Sequence, residues 1–233
     1  KENGTVAFND ANGNPISSES EPASFAPISV TDTKGTTTGY TTINRFNTVP
    51  EEGIYGLGQH QSDQWNYKGE NEELYQYNTK ISIPFVVSSK NYGILWDSYS
   101  LARFGNPETY SQLHKVFKLY NKDGKEGSLT GTYSARWGEP LVRAEDSLFY
   151  GDADAVKNLP RLGSDVLYEG SIEPLESGEY RFLLYYAGYV KVFIGGEEVV
   201  AERWRTAWNP NSYKFSVDMQ KGKKYNLRVE WKP

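Results

Sequence analysis

The chain reads as all-β, built from two β-sandwich units, and three observations carry that expectation. The first is a period of two: Tyr213, Phe215, Val217 and Met219 alternate with Lys214, Ser216 and Asp218, and Tyr225, Leu227, Val229 and Trp231 alternate with Asn226, Arg228 and Glu230. Such alternation gives a strand one apolar and one wet face. The second is punctuation, since short apolar runs keep ending in turn clusters such as residues 9–15, Thr33-Lys34-Gly35-Thr36 and residues 121–125. The third is length: 233 residues lean towards two domains when one domain takes about 100 to 200.

Along the chain, residues 1–50 alternate short apolar elements, starting with Val6-Ala7-Phe8, with turns. Residues 80–88 and 92–96 are apolar runs separated by Ser88-Ser89-Lys90-Asn91, which predicts a hairpin of strands buried on both faces. Residues 116–120 add one more strand, and the change of composition after the next turn places a boundary there. The first sandwich is expected over 1–126, incomplete, and the second over 127–233. The second opens with a strand at 128–133. Residues 146–159 have the makings of a short helix capped by Asp146 or Asp152, opposed by Gly151 and Pro160. Further on, residues 178–182 lead into 189–194, and Gly195-Gly196 closes a hairpin because both central residues can take positive φ.

Composition removes several function classes. Net charge is -5 with scattered lysines, so neither nucleic acid nor an anionic membrane has an electrostatic footprint. No run of about 20 apolar residues suggests a membrane span. Cysteine is absent and His60 and His114 are the only histidines, which leaves no disulfide framework and little for a metal centre. No cofactor is expected. The 18 Tyr and 6 Trp suit a surface that stacks on sugar rings, and they equally suit plain strand propensity.

Four short motifs follow in order over about fifty residues: Tyr55-Gly56-Leu57-Gly58-Gln59, Gln76-Tyr77-Asn78-Thr79, Ile83-Pro84-Phe85 and Tyr92-Gly93-Ile94-Leu95-Trp96-Asp97. This series resembles the N-terminal, galactose-mutarotase-like β-sandwich of glycoside hydrolase family 31, the α-glucosidases and α-xylosidases. Residues 127–233, with Leu129 to Tyr133, Tyr168-Glu169-Gly170-Ser171-Ile172, Ser177 to Phe182 and Val192-Phe193-Ile194-Gly195-Gly196, resemble the protective-antigen-type (PA-14) module inserted into that sandwich in some members. Trp204 to Pro210 is similar to a loop of that module. The resemblance implies a retaining enzyme with two catalytic aspartates on a (β/α)₈ barrel, which takes about 250 residues of alternating strand and helix. An all-β chain of this length holds no such barrel. The expected function is thus the non-catalytic N-terminal portion of an α-xylosidase acting on xyloglucan oligosaccharides. Its partners are that oligosaccharide and a downstream barrel of the same polypeptide. A periplasmic, cell-surface or secreted bacterial setting is expected.

Two places are candidate sugar contacts. The resemblance puts Asn78 and Thr79 in a loop that reaches over the barrel mouth, where neutral donors and acceptors suit sugar hydroxyls, with Gln59 and His60 lining the same entrance. Family members often carry aspartate at the position of Asn78, which removes a charge-assisted contact here. The competing reading is that Asn78-Thr79 only makes a turn. The second place is Trp204, Arg205, Trp208 and Asn209, expected in a loop; there the rings either stack on sugar or pack as a lid over the sandwich edge. Among carboxylates, Glu70, Glu72 and Glu73 read as solvated loop charges. Asp152 and Asp154 lack the rest of a calcium loop, and residues 185–189, where related lectins hold calcium through aspartates, carry no acid. A free-standing carbohydrate-binding or adhesin protein, and a purely structural spacer, are the alternative functions.

Overall fold

The computed structural model describes residues 4–62, 64–134, 137–148, 165–208 and 210–233. Among them the fold is all-β apart from one helical turn, and the chain falls into two compact units. The first unit holds residues up to Gln59, Trp65–Tyr75 and Ser82–Pro107. The second holds His60–Gln64, Gln76–Ile81 and Glu108–Pro233.

In the first unit, β1 (Ala7–Asn9), β2 (Pro15–Asp32) and β3 (Gly35–Phe46) form an antiparallel sheet in that order. Asp10 makes the first turn by accepting from the backbone N–H groups of Asn12 and Asn14, each at 2.8 Å, and Asp32 makes the second by accepting from Lys34 at 2.7 Å. Next come β4 (Ile54–Gln59), β5 (Asn71–Leu74), β6 (Ile81–Ser88), β7 (Gly93–Leu95) and β8 (Ala102–Gly105). They form a β4-β6-β7 sheet and a β5-β8 pair.

Gly56, Leu57 and Gly58 lie inside β4 with φ of 118°, 64° and 95°. Positive φ is costly for leucine, and burial explains why it persists: Leu57 is 1% exposed in a core with Ile54, Tyr67 and Val86. The kink places Ile54 and Leu57 inward at a spacing of three, where a flat strand would use two. A Cβ on Gly56 would stand 2.6 Å from the Phe85 carbonyl oxygen, so only glycine lets β4 come this close to β6.

The hairpin of β6 and β7 forms with Phe85 opposite Leu95 and Val86 opposite Ile94, and Asn91 supplies the left-handed turn residue at φ 62°. Burial on both faces does not hold. Val86 is buried while Ile83, Phe85, Val87 and Leu95 stay exposed, because nothing among the described residues covers that side. Glu72 also departs from expectation: it lies in β5 opposite Phe104 and is buried, since strand pairing turns it away from solvent.

The second unit begins with one helical turn, α1 (Leu113–Val116), and β9 (Phe117–Tyr120). Composition assigned this strand to the first sandwich. Its hydrogen-bond partner is instead β12 of the larger sheet, from Phe117 opposite Pro174 to Tyr120 opposite Ser171. The remaining strands are β10 (Leu129–Ser134), β11 (Leu141–Glu145), β12 (Asp165–Pro174), β13 (Gly178–Tyr186), β14 (Gly188–Ile194), β15 (Glu197–Arg205), β16 (Asn211–Met219) and β17 (Tyr225–Lys232). The order β11-β10-β12-β17-β14-β15, with β9 on β12, makes a seven-stranded sheet, and β13 pairs with β16 as a second layer. The expected helix lies outside the described residues from position 149, as do Asp152 and Asp154.

The period-two strands do what their pattern requires. Leu227 and Val229 of β17 are buried with Leu129, Tyr133, Ile172, Val190, Val192 and Val200. Tyr180, Phe182, Tyr213, Phe215 and Val217 of the second layer pack against them. Phe182 stacks on Phe215 at 5.0 Å and on Phe117 at 5.9 Å, so aromatic rings join the two layers. Buried Glu145 is neutralised within this unit: it accepts from the Tyr133 hydroxyl and from Arg143 Nε, while the Arg143 guanidinium sits 5.0 Å over the Tyr133 ring. Gly195 and Gly196, at φ 65° and 92°, close the β14-β15 hairpin as the sequence predicts. At the other end of β14, Gly188 has φ 79° and faces Lys232, whose carbonyl oxygen would be 2.1 Å from a Cβ.

Two stability measurements check these assignments. Glu52 is buried and accepts from Ser88 Oγ and from the Tyr92 hydroxyl at 2.6 Å, tying the loop before β4 to both ends of the β6-β7 turn. Burial by itself raises its pKa, but the two hydroxyls outweigh it and hold the carboxyl below its ordinary 4.5. A depressed folded pKa contributes stability that is complete above 4.5 and is lost as pH falls through the folded value. Urea unfolding of Glu52→Gln against the parent is therefore expected to show the largest deficit near neutral pH and a shrinking one as pH drops below 4.5; a constant deficit would contradict the charge's role. Gly188→Ala must both strain its φ and displace a strand carbonyl, and is expected to lose about 2 kcal/mol or more in the same assay.

Candidate functional site

The sequence pointed to two separate places, and the structure brings parts of both together in the second unit. His60–Gln64 and Gln76–Ile81 cluster there, although they flank strands of the first. Arg205, the last residue of β15, donates through Nη2 to the Gln61 carbonyl at 3.1 Å. The Gln61 side chain in turn donates through Nε2 to the Thr79 carbonyl at 3.3 Å. Arg205 also donates through Nη1 to its neighbour's carbonyl, Trp204 O, at 3.1 Å. Its planar fork is thus committed to backbone oxygens, and Arg205 acts as a clamp that positions the 60–64 segment.

Asn78 and Thr79 are the central residues of a tight turn, with Tyr77 and Lys80 bridged across it and the Lys80 N–H donating to the Tyr77 carbonyl at 3.0 Å. Thr79 adopts φ 70°, so the turn reading is correct as local geometry. Both side chains nonetheless face solvent, while Lys80 folds back over the Tyr77 ring at 5.9 Å and is buried. The turn therefore presents one amide and one hydroxyl, with no carboxylate.

Trp204 and Arg205 are not in a loop. They end β15, held in register with Tyr189 and Gly188 of β14. Trp204 is 53% exposed and Trp208, in the turn that follows, is 95% exposed, and neither belongs to the buried core. A lid packed over the sandwich edge is not what these rings form. Asn209 lies outside the described residues. Gln59 is exposed at the end of β4, in the first unit, and His60 is partly buried in the second.

Sequence reasoning missed Gln61 and Tyr189. Gln61 follows Gln59-His60 directly, and the polar run after the glycine segment was the only available signal. Tyr189 read as one more strand tyrosine. Its ring stands 6.4 Å from that of Trp204, a pairing visible only once β14 and β15 are in register. Among the described residues no three His, Cys, Asp or Glu side chains are grouped to hold a metal, and no helix is long and apolar enough to cross a membrane.

Comparison with known proteins matches residues 164–232 to the PA14 domain. The crystal structure of the family 31 α-xylosidase of Xanthomonas citri superposes with a TM-score of 0.84 at 38% identity, covering 97% of this chain and 25% of that one. An α-xylosidase of Saccharolobus solfataricus is 48% identical over 71 residues, 27% of this chain and 10% of that protein. An uncharacterised family 31 glucosidase of Pseudescherichia vulneris is 38% identical over 68 residues, 29% of this chain and 13% of that protein. The chain spans a quarter or less of the length of these relatives. With the two-layer β architecture of the second unit, these matches show a chain that carries a PA14 domain and is similar to the PA14-bearing N-terminal portion of family 31 glycoside hydrolases.

Proposed function

We propose that this chain is the non-catalytic front of a retaining family 31 α-glycosidase of the α-xylosidase kind, acting on xyloglucan-type oligosaccharides. Its part is to shape the entrance and outer subsites of an active site that the same polypeptide supplies elsewhere. The observation that carries the reading is the hydrogen-bonded run from Arg205 through Gln61 to Thr79. It ties the turn bearing Asn78 to the strand end bearing Trp204, so neutral hydrogen-bonding groups and exposed rings are held by one scaffold.

The carboxylates support the division of labour. Retaining hydrolysis needs two carboxyl groups about 5 to 5.5 Å apart, one of them free to attack. Glu19, Glu52 and Glu145 are buried, and each is already hydrogen-bonded into packing. Catalysis then belongs to a barrel, and this chain contributes position and access. A periplasmic or cell-surface setting in a bacterium suits such a substrate.

The test uses the full-length gene product beside this chain alone. The full-length protein is expected to hydrolyse an aryl α-xyloside and the 233-residue chain to show none; activity in the short chain sinks the proposal. In the full-length protein, Arg205→Ala is expected to raise KM for xyloglucan oligosaccharides roughly three- to tenfold and to leave kcat on the aryl glycoside unchanged. An unaltered KM for the long substrate means the clamp has no part in substrate entry.

A further inference from the structure

Strand β6 is furnished for burial on both faces, and only one is buried. Its sequence, from Ile81 through Pro84 to Ser88, carries no charge. Alternation puts Ile81, Ile83, Phe85 and Val87 on one side, where they are 48%, 49%, 41% and 43% exposed. Leu95 of β7 lies opposite Phe85 in register and adds a fifth apolar residue to that side at 64%. Gly93 is opposite Val87, and the Phe85 ring lies against it, 2.9 Å from where a Cβ would stand, so no side chain interrupts the face there. Both edges of β6 are already hydrogen-bonded, one by β4 and the other by β7. What stays open is therefore a face. Strands of the second unit that meet solvent are dressed differently: Arg228 pairs with Glu169 and Glu230, and Lys191 pairs with Glu198. A contiguous apolar face without such charges marks a surface that something else covers.

We propose that the open face of β6 and β7 is an internal interface, covered in the complete protein by an apolar segment of the same polypeptide that lies outside these 233 residues. Two observations choose this occupant over a second copy of the chain. The first is length: 97% of this chain superposes on the Xanthomonas citri α-xylosidase and accounts for 25% of it, so a polypeptide of that build brings ample chain from elsewhere. The second is the size of the core under the opposite face. Ile54, Leu57, Tyr67 and Val86 are its buried side chains among the described residues, whereas the second unit buries a far larger set. A sheet with so small a core needs its second face covered to be stable by itself. A tethered segment supplies that cover at any dilution, while a separate copy supplies it only at high concentration. The inference rests on the proposed function in one respect, that the chain belongs to a longer polypeptide.

The chain has no cysteine, so single thiols report on the face. Ile83→Cys, Val87→Cys and Leu95→Cys are each made in this chain and in the full-length gene product, with Asp123→Cys in an exposed turn as the reference, and iodoacetamide labelling at the introduced thiol is timed by peptide mass. In this chain alone, the three face thiols are expected to react within about threefold of the reference. In the full-length protein they are expected to slow about a hundredfold or more, because reaction then waits on local opening, while the reference keeps its rate. Val87→Cys is close to isosteric, which keeps the folded state available for the measurement. As a second reading, Leu95→Gln is expected to lower the melting temperature of the full-length protein and to leave that of this chain unchanged. Face thiols that label as fast as the reference in folded full-length protein overturn the proposal. So does protection that appears in this chain alone and grows with its concentration, which assigns the face to a second copy. Hydrolysis of an aryl α-xyloside by the same full-length samples separates the two readings: protected thiols without hydrolysis strike the enzyme assignment and leave the interface standing, and open thiols in an active enzyme strike the interface alone.

Discussion

Arg205 joins residues 144 positions apart in sequence, and the candidate site depends on that contact. A guanidinium has several donors in a rigid plane, and here two of them are spent on carbonyl oxygens, those of Trp204 and Gln61. Each such charge-assisted bond is worth more than a neutral one, and the pair defines a direction that a lysine could not. The consequence is organisational. The loop segments around His60 and Asn78 leave the strands that flank them in sequence and join the PA14 unit, where exposed rings are also found.

Backbone conformation is the second constraint. The left-handed run Gly56-Leu57-Gly58 is tolerated because one leucine side chain is completely buried by it and because a glycine lets a neighbouring carbonyl pass at close range. The kink ends at Gln59, immediately before the residues that Arg205 draws across. Gly188 plays the corresponding part in the second unit, since its positive φ allows β14 to start tight against β17 and fixes which residues face Arg205 and Trp204. In both places a local strain is held by packing on either side and serves to aim polar or aromatic groups.

Charge is used sparingly. Among the buried carboxylates, Glu19 and Glu52 accept from hydroxyl, amide and backbone donors that hold them below the ordinary carboxylate range, and Glu145 accepts from the Tyr133 hydroxyl and Arg143, so all three are committed to packing. The surface ion pairs on the outer sheet are exposed and screened by solvent, so each adds little to stability.

Period-two alternation in residues 213–219 and 225–231, the glycine pair at 195–196 and the hairpin at 88–91 were legible from the amino acids alone, because side-chain direction in a strand and positive φ in a tight turn are local properties. The four ordered motifs likewise pointed to the family. What only the tertiary structure decided were pairings over long separations. These are the docking of β9 on β12, the single buried face of β6, the burial of Glu72, the placing of Trp204 on a strand beside Tyr189, and the hold of Arg205 on Gln61. Each depends on which distant backbone completes a hydrogen bond or covers a face, and that choice is made by the assembled sheets, where no short stretch of sequence records it.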